Sequence, residues 1–325
     1  MRRGPRAAPD NPRMHLLIPF ASALSEEASH VLATLALPNL SRLLGRLTPA
    51  VRDDADAYRL SPPHERALAA LWGWHGTDGA LPFAAAAAAD DGIDVGDHPW
   101  GLVSPAHWHV GRDQVLMADP QALGLAEGAS RELFEAVREL FESEGYAFAW
   151  GAPDRWYAAH PGLEGLPCAS LDRVIGRNVD FWLGSTQHPR AALIRRLQSE
   201  VQLLLYTHPI NEAREADGAL AVNSFWLSGC GARQTAAPVD VEVDSSLRRP
   251  LLDGDWVGWA AAWKALDDGP IARLLHEFDG AAAPIALTLC GERSWQRFEP
   301  GARSWWSRLR GAAPAASVHD LLESL

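Results

Sequence analysis

Two short apolar runs, "MHLLIPFA" (Met14–Ala21) and "IALTLC" (Ile285–Cys290), most constrain what this chain can fold into. Each is apolar enough to be buried on both sides, as strands are when helices cover both faces of a parallel sheet. Amphipathic segments lie between them. Leu40, Leu43, Leu44 and Leu47 keep helical spacing behind Pro38, and Pro63–Trp74 reads as a further helix. Arg131–Glu144 puts Leu133, Phe134, Val137, Leu140 and Phe141 on one face before Gly145 ends it. Pro189–Tyr206 turns Leu193, Leu197, Val201, Leu204 and Leu205 inward, and the alanine run Ala84–Ala89 is a helix by propensity.

Further strands are expected around Leu102, at Val115–Met117, Val222–Leu227 and Val239–Val243, with helices at Trp256–Leu266 and Ile271–Phe278. "YAFAWGAPDRWYA" reads as a hairpin about Gly-Ala-Pro-Asp. Strands interspersed with amphipathic helices predict an α/β fold, a three-layer sandwich with a mainly parallel central sheet. Met14–Phe20, Val222–Leu227 and Ile285–Cys290 are expected in that one sheet. Residues 1–13 read as a disordered extension and 14–325 as a single α/β domain, with 145–190 as a candidate inserted hairpin lobe.

Of 325 residues, 47% are hydrophobic, enough to bury a full core. The formal net charge of −12 argues against nucleic acid and against an acidic membrane surface. Local basic pockets leave room for a small phosphorylated or anionic ligand. The three cysteines, Cys168, Cys230 and Cys290, have no C-x-x-C spacing and suit reduced thiols in the cytoplasm. No apolar run reaches the roughly 18 residues of a membrane span. The basic start "MRRGPRAAPDNPR" is not followed by a signal-type apolar core, and Met14 is an alternative start. A cytoplasmic protein is the expectation.

The densest polar stretch is "THPINEAREADGALAVNSFWLSGCGAR" (Thr207–Arg233). Two readings are open for it. As a crossover, Pro209 starts a short helix, and Asn211 and Arg214 satisfy backbone groups freed at the kink. As a binding edge, the backbone of Gly229 and Gly231 forms an anion nest beside Arg233, supported by Arg177 and Arg214, with His208, Asn211 and Asn223 as further ligand-binding candidates. In "DHPWGLVSPAHWHV", His107 and His109 share one side of a strand, and His98 lies just upstream. A zinc site needs a third partner, and the simpler reading bonds each imidazole to backbone, so no metal ligand is assigned. Ser22, Ser25 and Ser104 lie in no G-x-S-x-G elbow, so no nucleophile is assigned. Of the fourteen tryptophans, Trp256, Trp259 and Trp263 form one helical face suited to core packing. Trp305 and Trp306 suit a surface for a protein partner.

The elements His208, Pro209, Asn211, Arg214, Gly218, Asn223, Trp226, Gly229 and Gly231 resemble the His-Pro-x-Asn-x-x-Arg … Gly … Asn … Trp-x-x-Gly-x-Gly pattern of the archaeal-type cofactor-independent phosphoglycerate mutases. That family belongs to the alkaline-phosphatase superfamily. "SLDRVIGRNVDFWL", with Asp172, Gly176 and Arg177, resembles its Pro-His-Asp-x-x-Gly-Lys segment, and "LPNLSRLL" its "TPNLDRLA". The chain is similar to a shorter bacterial branch labelled RpfE-type regulatory proteins. The resemblance implies an alkaline-phosphatase-like sheet, and in active members two metal ions held near strand ends. Here Pro19, Phe20 and Ala21 stand where an Asp-Gly is expected, and Cys290 and Gly291 where Asp-His is expected. Hard cations need several carboxylate or imidazole ligands. With no catalytic residue and no cofactor assigned, the chain reads as a regulatory or ligand-sensing protein. The alternatives are an active mutase or phosphotransferase with an altered site, and a protein-interaction module.

Overall fold

The computed structural model describes residues 14–184, 188–280, 285–301 and 317–325. The terminal extension 1–13 and the pair Trp305–Trp306 lie outside them. In chain order the elements are β1 (Met14–Ile18), α1 (Glu26–Thr34), α2 (Pro38–Leu44), β2 (Leu47–Asp53), α3 (Pro63–Trp72), α4 (Phe83–Asp90), β3 (Pro99–Ala106), β4 (Trp108–Val110), β5 (Val115–Met117), α5 (Glu127–Ser143), β6 (Ala147–Ala152) and β7 (Arg155–Ala159). There follow α6 (Leu171–Val174), α7 (Val179–Gly184), α8 (Ala191–Tyr206), α9 (Pro209–Ala216), β8 (Ser224–Ala232), β9 (Glu242–Val243), α10 (Arg248–Leu252), α11 (Trp256–Leu266), α12 (Ala272–Gly280), β10 (Ile285–Cys290), β11 (Trp295–Pro300) and α13 (Val318–Glu323).

The chain divides into two compact units. The first takes the described parts of Met1–Ala57, Pro63–Trp72 and Ala236–Leu325, and the second takes Tyr58–Pro62 and Gly73–Thr235. The candidate lobe at 145–190 falls within the second.

The first unit is built on a five-stranded sheet of order β2-β11-β10-β1-β9. β1 lies parallel to β10 in the register Met14↔Ile285 to Ile18↔Leu289, as two fully buried apolar strands require. β10 then turns back through Gly291–Ser294 into β11, and β11 pairs antiparallel with β2, so the sheet is mixed and not mainly parallel. Alternation splits the strands between two faces. Leu16, Ile18, Leu287 and Leu289 pack on α1, α2, α11, α12 and α13, while Leu17, Cys290 and Trp295 pack against Ala67 and Leu71 of α3. The expected tryptophan face is present. Trp259 and Trp263 are fully buried, with ring centroids 6.5 Å apart edge to face.

A π-helical turn, Asp267–Ile271, joins α11 to α12 around Pro270. It buries the carboxylate of Asp267, which accepts from Leu40 N at 2.7 Å and Asn39 N at 3.1 Å. Pro38 starts α2 and Leu37 gives no side-chain cap, so this remote carboxylate satisfies the helix's free N–H groups and complements its dipole.

The second unit holds a four-stranded antiparallel sheet, β6-β7-β3-β8. Here the sequence-based expectation is corrected: of Val222–Leu227, only Ser224–Leu227 enters a strand, β8, which pairs antiparallel with β3 and not with the β1–β10 pair. One face carries Val103, Trp156, Ala158, Phe225 and Leu227 against α5 and α8. The other carries Trp100, Tyr157 and Ala159 against Ala84, Ala85 and Ala88 of α4. The expected hairpin is β6–β7, turning at Pro153-Asp154. β4 and β5 form a separate two-stranded ribbon.

Candidate functional site

The carboxyl ends of adjacent strands in an α/β sheet are where ligands ordinarily bind. β1 and β10 end side by side, with Ala21 N donating to Cys290 O at 2.8 Å. Phe20, in the turn after β1, takes φ 59°, a left-handed conformation uncommon for any residue with a Cβ. It is held there by Trp259 Nε1, which donates to Phe20 O at 3.2 Å, and by the His64 ring, 5.2 Å from its own. Across from it, burial pushes the Cys290 thiol pKa far up, which keeps it protonated. A Cβ on Gly291 would collide with Ser22 and Leu325. Leu325 is 1% exposed, and its carbonyl accepts from Ser294 N at 2.7 Å and Arg293 N at 3.1 Å. The strand ends are thus closed by Phe20, Ser22, Gly291 and Leu325. The carboxylate of this turn, on Glu292, accepts from Leu24 N at 2.8 Å.

The polar crossover lies in the second unit. α8 ends at Tyr206 and Pro209 opens α9, so the last carbonyls of α8 lose their helical partners. Asn211, 4% exposed, answers this directly. Its Nδ2 donates to Leu205 O at 2.9 Å and to Val222 O at 2.8 Å, and its Oδ1 accepts from Val222 N at 2.8 Å. His208 is the N-cap, its Nδ1 accepting from Ile210 N at 3.3 Å. Arg214 donates from Nε to Leu220 O at 2.8 Å and from its terminal nitrogen to Leu123 O. Burial lowers its pKa from the usual guanidinium value. Gly218, at φ 74°, closes α9. Asn223 brackets Trp108, accepting from its N–H at 2.7 Å and donating to its carbonyl at 3.0 Å. These bonds join Asn211, Arg214 and Asn223 to backbone groups, as the crossover reading expects.

Gly229 and Gly231 belong to β8, where a bulge sets two residues opposite one of β3. Gly229 has φ 65°, and a Cβ on it would lie 2.9 Å from Ala84 N, while one on Gly231 would lie 3.2 Å from Pro82 Cβ. Both glycines therefore admit the first turn of α4. Arg233 is exposed just past β8, and Arg177 follows α6, its N–H donating to Val174 O at 2.9 Å.

His98 is exposed. His107 and His109 are drawn together: His107 Nδ1 lies 2.7 Å from Ala221 O, and His107 Nε2 lies 3.2 Å from His109 Nδ1. Burial, with the neighbouring His109, lowers the His107 pKa against the opposing pull of the Ala221 bond and Glu215. Among the described residues, no three His, Cys, Asp or Glu side chains form a metal-binding group.

Sequence reasoning missed a cavity of about 40 Å³ in the second unit, lined by Cys168, Trp182, Ile194, Arg195, Gln198 and Trp226 among others. None of the sequence-derived site residues lines it. In its wall, Cys168 Sγ lies 3.8 Å from Cys230 Sγ. The two cysteines are 62 positions apart, so no local spacing announced the pair.

Among the described residues no helix is long and apolar enough to cross a membrane. No protein-family model and no curated protein matches the sequence. The solved structures similar to it at a distance include the following two. The PH0037 protein from Pyrococcus horikoshii aligns over 90% of this chain and 88% of its own, with 14% identity and a TM-score of 0.43. The cofactor-independent phosphoglycerate mutase from Thermoplasma acidophilum DSM 1728 aligns over 96% of this chain and 100% of its own, with 15% identity and a TM-score of 0.32.

Proposed function

We propose that this chain is a regulatory or ligand-sensing protein of phosphoglycerate-mutase-like ancestry that does not carry out two-metal phosphoryl transfer. One observation carries the reading: Leu325 fills the ends of β1 and β10 together with Phe20, Ser22 and Gly291. A dinuclear site needs several carboxylate or imidazole ligands converging there, whereas Phe20, Ser22, Gly291 and the Leu325 side chain bring neither group. The ligand on this reading is a small phosphorylated or other anionic molecule, and Arg233, exposed just past β8, is a cation placed to meet it. A cytoplasmic setting fits the three free thiols.

The test is elemental analysis of the purified chain, run alongside a coupled assay for conversion of 3-phosphoglycerate to 2-phosphoglycerate. The expected outcome is no turnover with manganese, magnesium or zinc supplied. Two bound ions per chain together with turnover would overturn the reading and favour the altered-enzyme alternative.

A further inference from the structure

The pair His107 and His109 is not absorbed by the reading above. His107 links β3 to β4 and His109 sits in β4, and the two imidazoles lie on one side, Nε2 to Nδ1 at 3.2 Å. The segment is braced from both ends. Asn223 clamps both backbone groups of Trp108, and β4 is paired with β5 at His109↔Leu116. His107 is half-buried and its Nδ1 donates to Ala221 O at 2.7 Å, which leaves the Nε2 lone pair directed at His109. His109 is exposed, so the open side of the pair meets solvent.

We propose that His107 Nε2 and His109 Nδ1 form a two-imidazole site for a late first-row divalent cation of the zinc, copper or nickel kind, completed by water. The distance supports it. Two nitrogens 3.2 Å apart, each bonded to one ion at about 2.05 Å, subtend roughly 100° at the metal, between the square-planar and tetrahedral angles. The ion takes the place of the hydrogen bond that joins the rings without it. The Nδ1–H to carbonyl bond of His107 is the outer contact that fixes the tautomer and orientation of a metal-bound imidazole. Glu215, which acts electrostatically on His107, adds negative potential beside the pair. Oxygen-seeking magnesium and calcium have no claim on two imidazoles.

The test uses the full chain titrated separately with Cu²⁺, Zn²⁺ and Mg²⁺ by calorimetry, with His107→Ala, His109→Ala and His98→Ala beside it. We expect one ion of Cu²⁺ or Zn²⁺ per chain and no Mg²⁺. Affinity should fall roughly tenfold or more in His107→Ala and in His109→Ala, and remain unchanged in His98→Ala. His109 is exposed, so its variant keeps the fold even if the His107 variant does not. Cu²⁺ electron paramagnetic resonance should report two nitrogen ligands in the parent and one in His109→Ala. Absence of binding, equal binding by His109→Ala, or equal loss in His98→Ala would overturn the proposal. One bound ion without turnover leaves the reading of the strand ends standing, so the two proposals fail separately.

Discussion

Replacing Asn211 by alanine tests directly what the polar crossover is for. The side chain makes three bonds to backbone, at 2.9, 2.8 and 2.8 Å, to Leu205 O, Val222 O and Val222 N. At 4% exposure, water does not replace them. A buried hydrogen bond is worth about 1 kcal/mol net, and stranding its partner costs about 1–3 kcal/mol. Leu205 O keeps a second bond from His208 N at 3.2 Å, so the heaviest losses fall on the two groups of Val222. Asn211→Ala should therefore destabilise the second unit by about 3–5 kcal/mol. The assay is urea unfolding read by tryptophan fluorescence, with hydrogen exchange of the Val222 amide as the local readout. Asn211→Asp keeps the acceptor for Val222 N but turns a carboxylate toward two carbonyls, so it should be no better at neutral pH. A loss below about 1 kcal/mol with unchanged exchange at Val222 would refute the reasoning.

Two further outcomes follow from buried positions. His15 is 1% exposed with Nε2 2.8 Å from Thr288 Oγ1, and burial lowers its pKa from 6.5 to about 4. The unfolded chain takes up this proton below pH 6.5 and the folded chain does not until about pH 4. Its contribution is therefore whole above pH 6.5 and is lost as pH falls through that window, by about 3 kcal/mol in total. Urea unfolding of the first unit at pH 7 and pH 4.5 should show a slope that His15→Gln flattens, and an equal slope in both proteins would contradict it. Gly229→Ala sets a Cβ 2.9 Å from Ala84 N at φ 65° and should cost about 1–3 kcal/mol. An unchanged melting temperature would show that the bulge does not need glycine.

What could be read from the residues is what their neighbours in sequence decide. The adjacency of β1 and β10 was legible because runs buried on both faces have one common solution, side-by-side strands under helices. The hairpin β6–β7 and the break between α8 and α9 were legible because Pro-Asp and His-Pro act within a few residues. That Pro19, Phe20, Cys290 and Gly291 carry no carboxylate or imidazole was legible from the residue types alone.

Long-range pairing decided the rest. β2 and β11 went unread because "LTPAVRD" is largely exposed and carries a proline, and "WQRFEP" alternates too briefly to stand out. Their antiparallel pairing makes the sheet mixed. Val222–Leu227 carries enough apolar residues to be buried, but apolarity gives burial and not a partner, and packing joined its strand part to β3. Asp267 at the start of α2, Leu325 over the strand ends and Cys168 beside Cys230 join residues with no spacing in common. The tertiary structure also joined two motifs that look separate in the chain, setting Asn223 around Trp108 and Ala221 against His107. A residue type fixes which bonds a side chain can make, and only the closed fold brings the partner within about 3 Å of it.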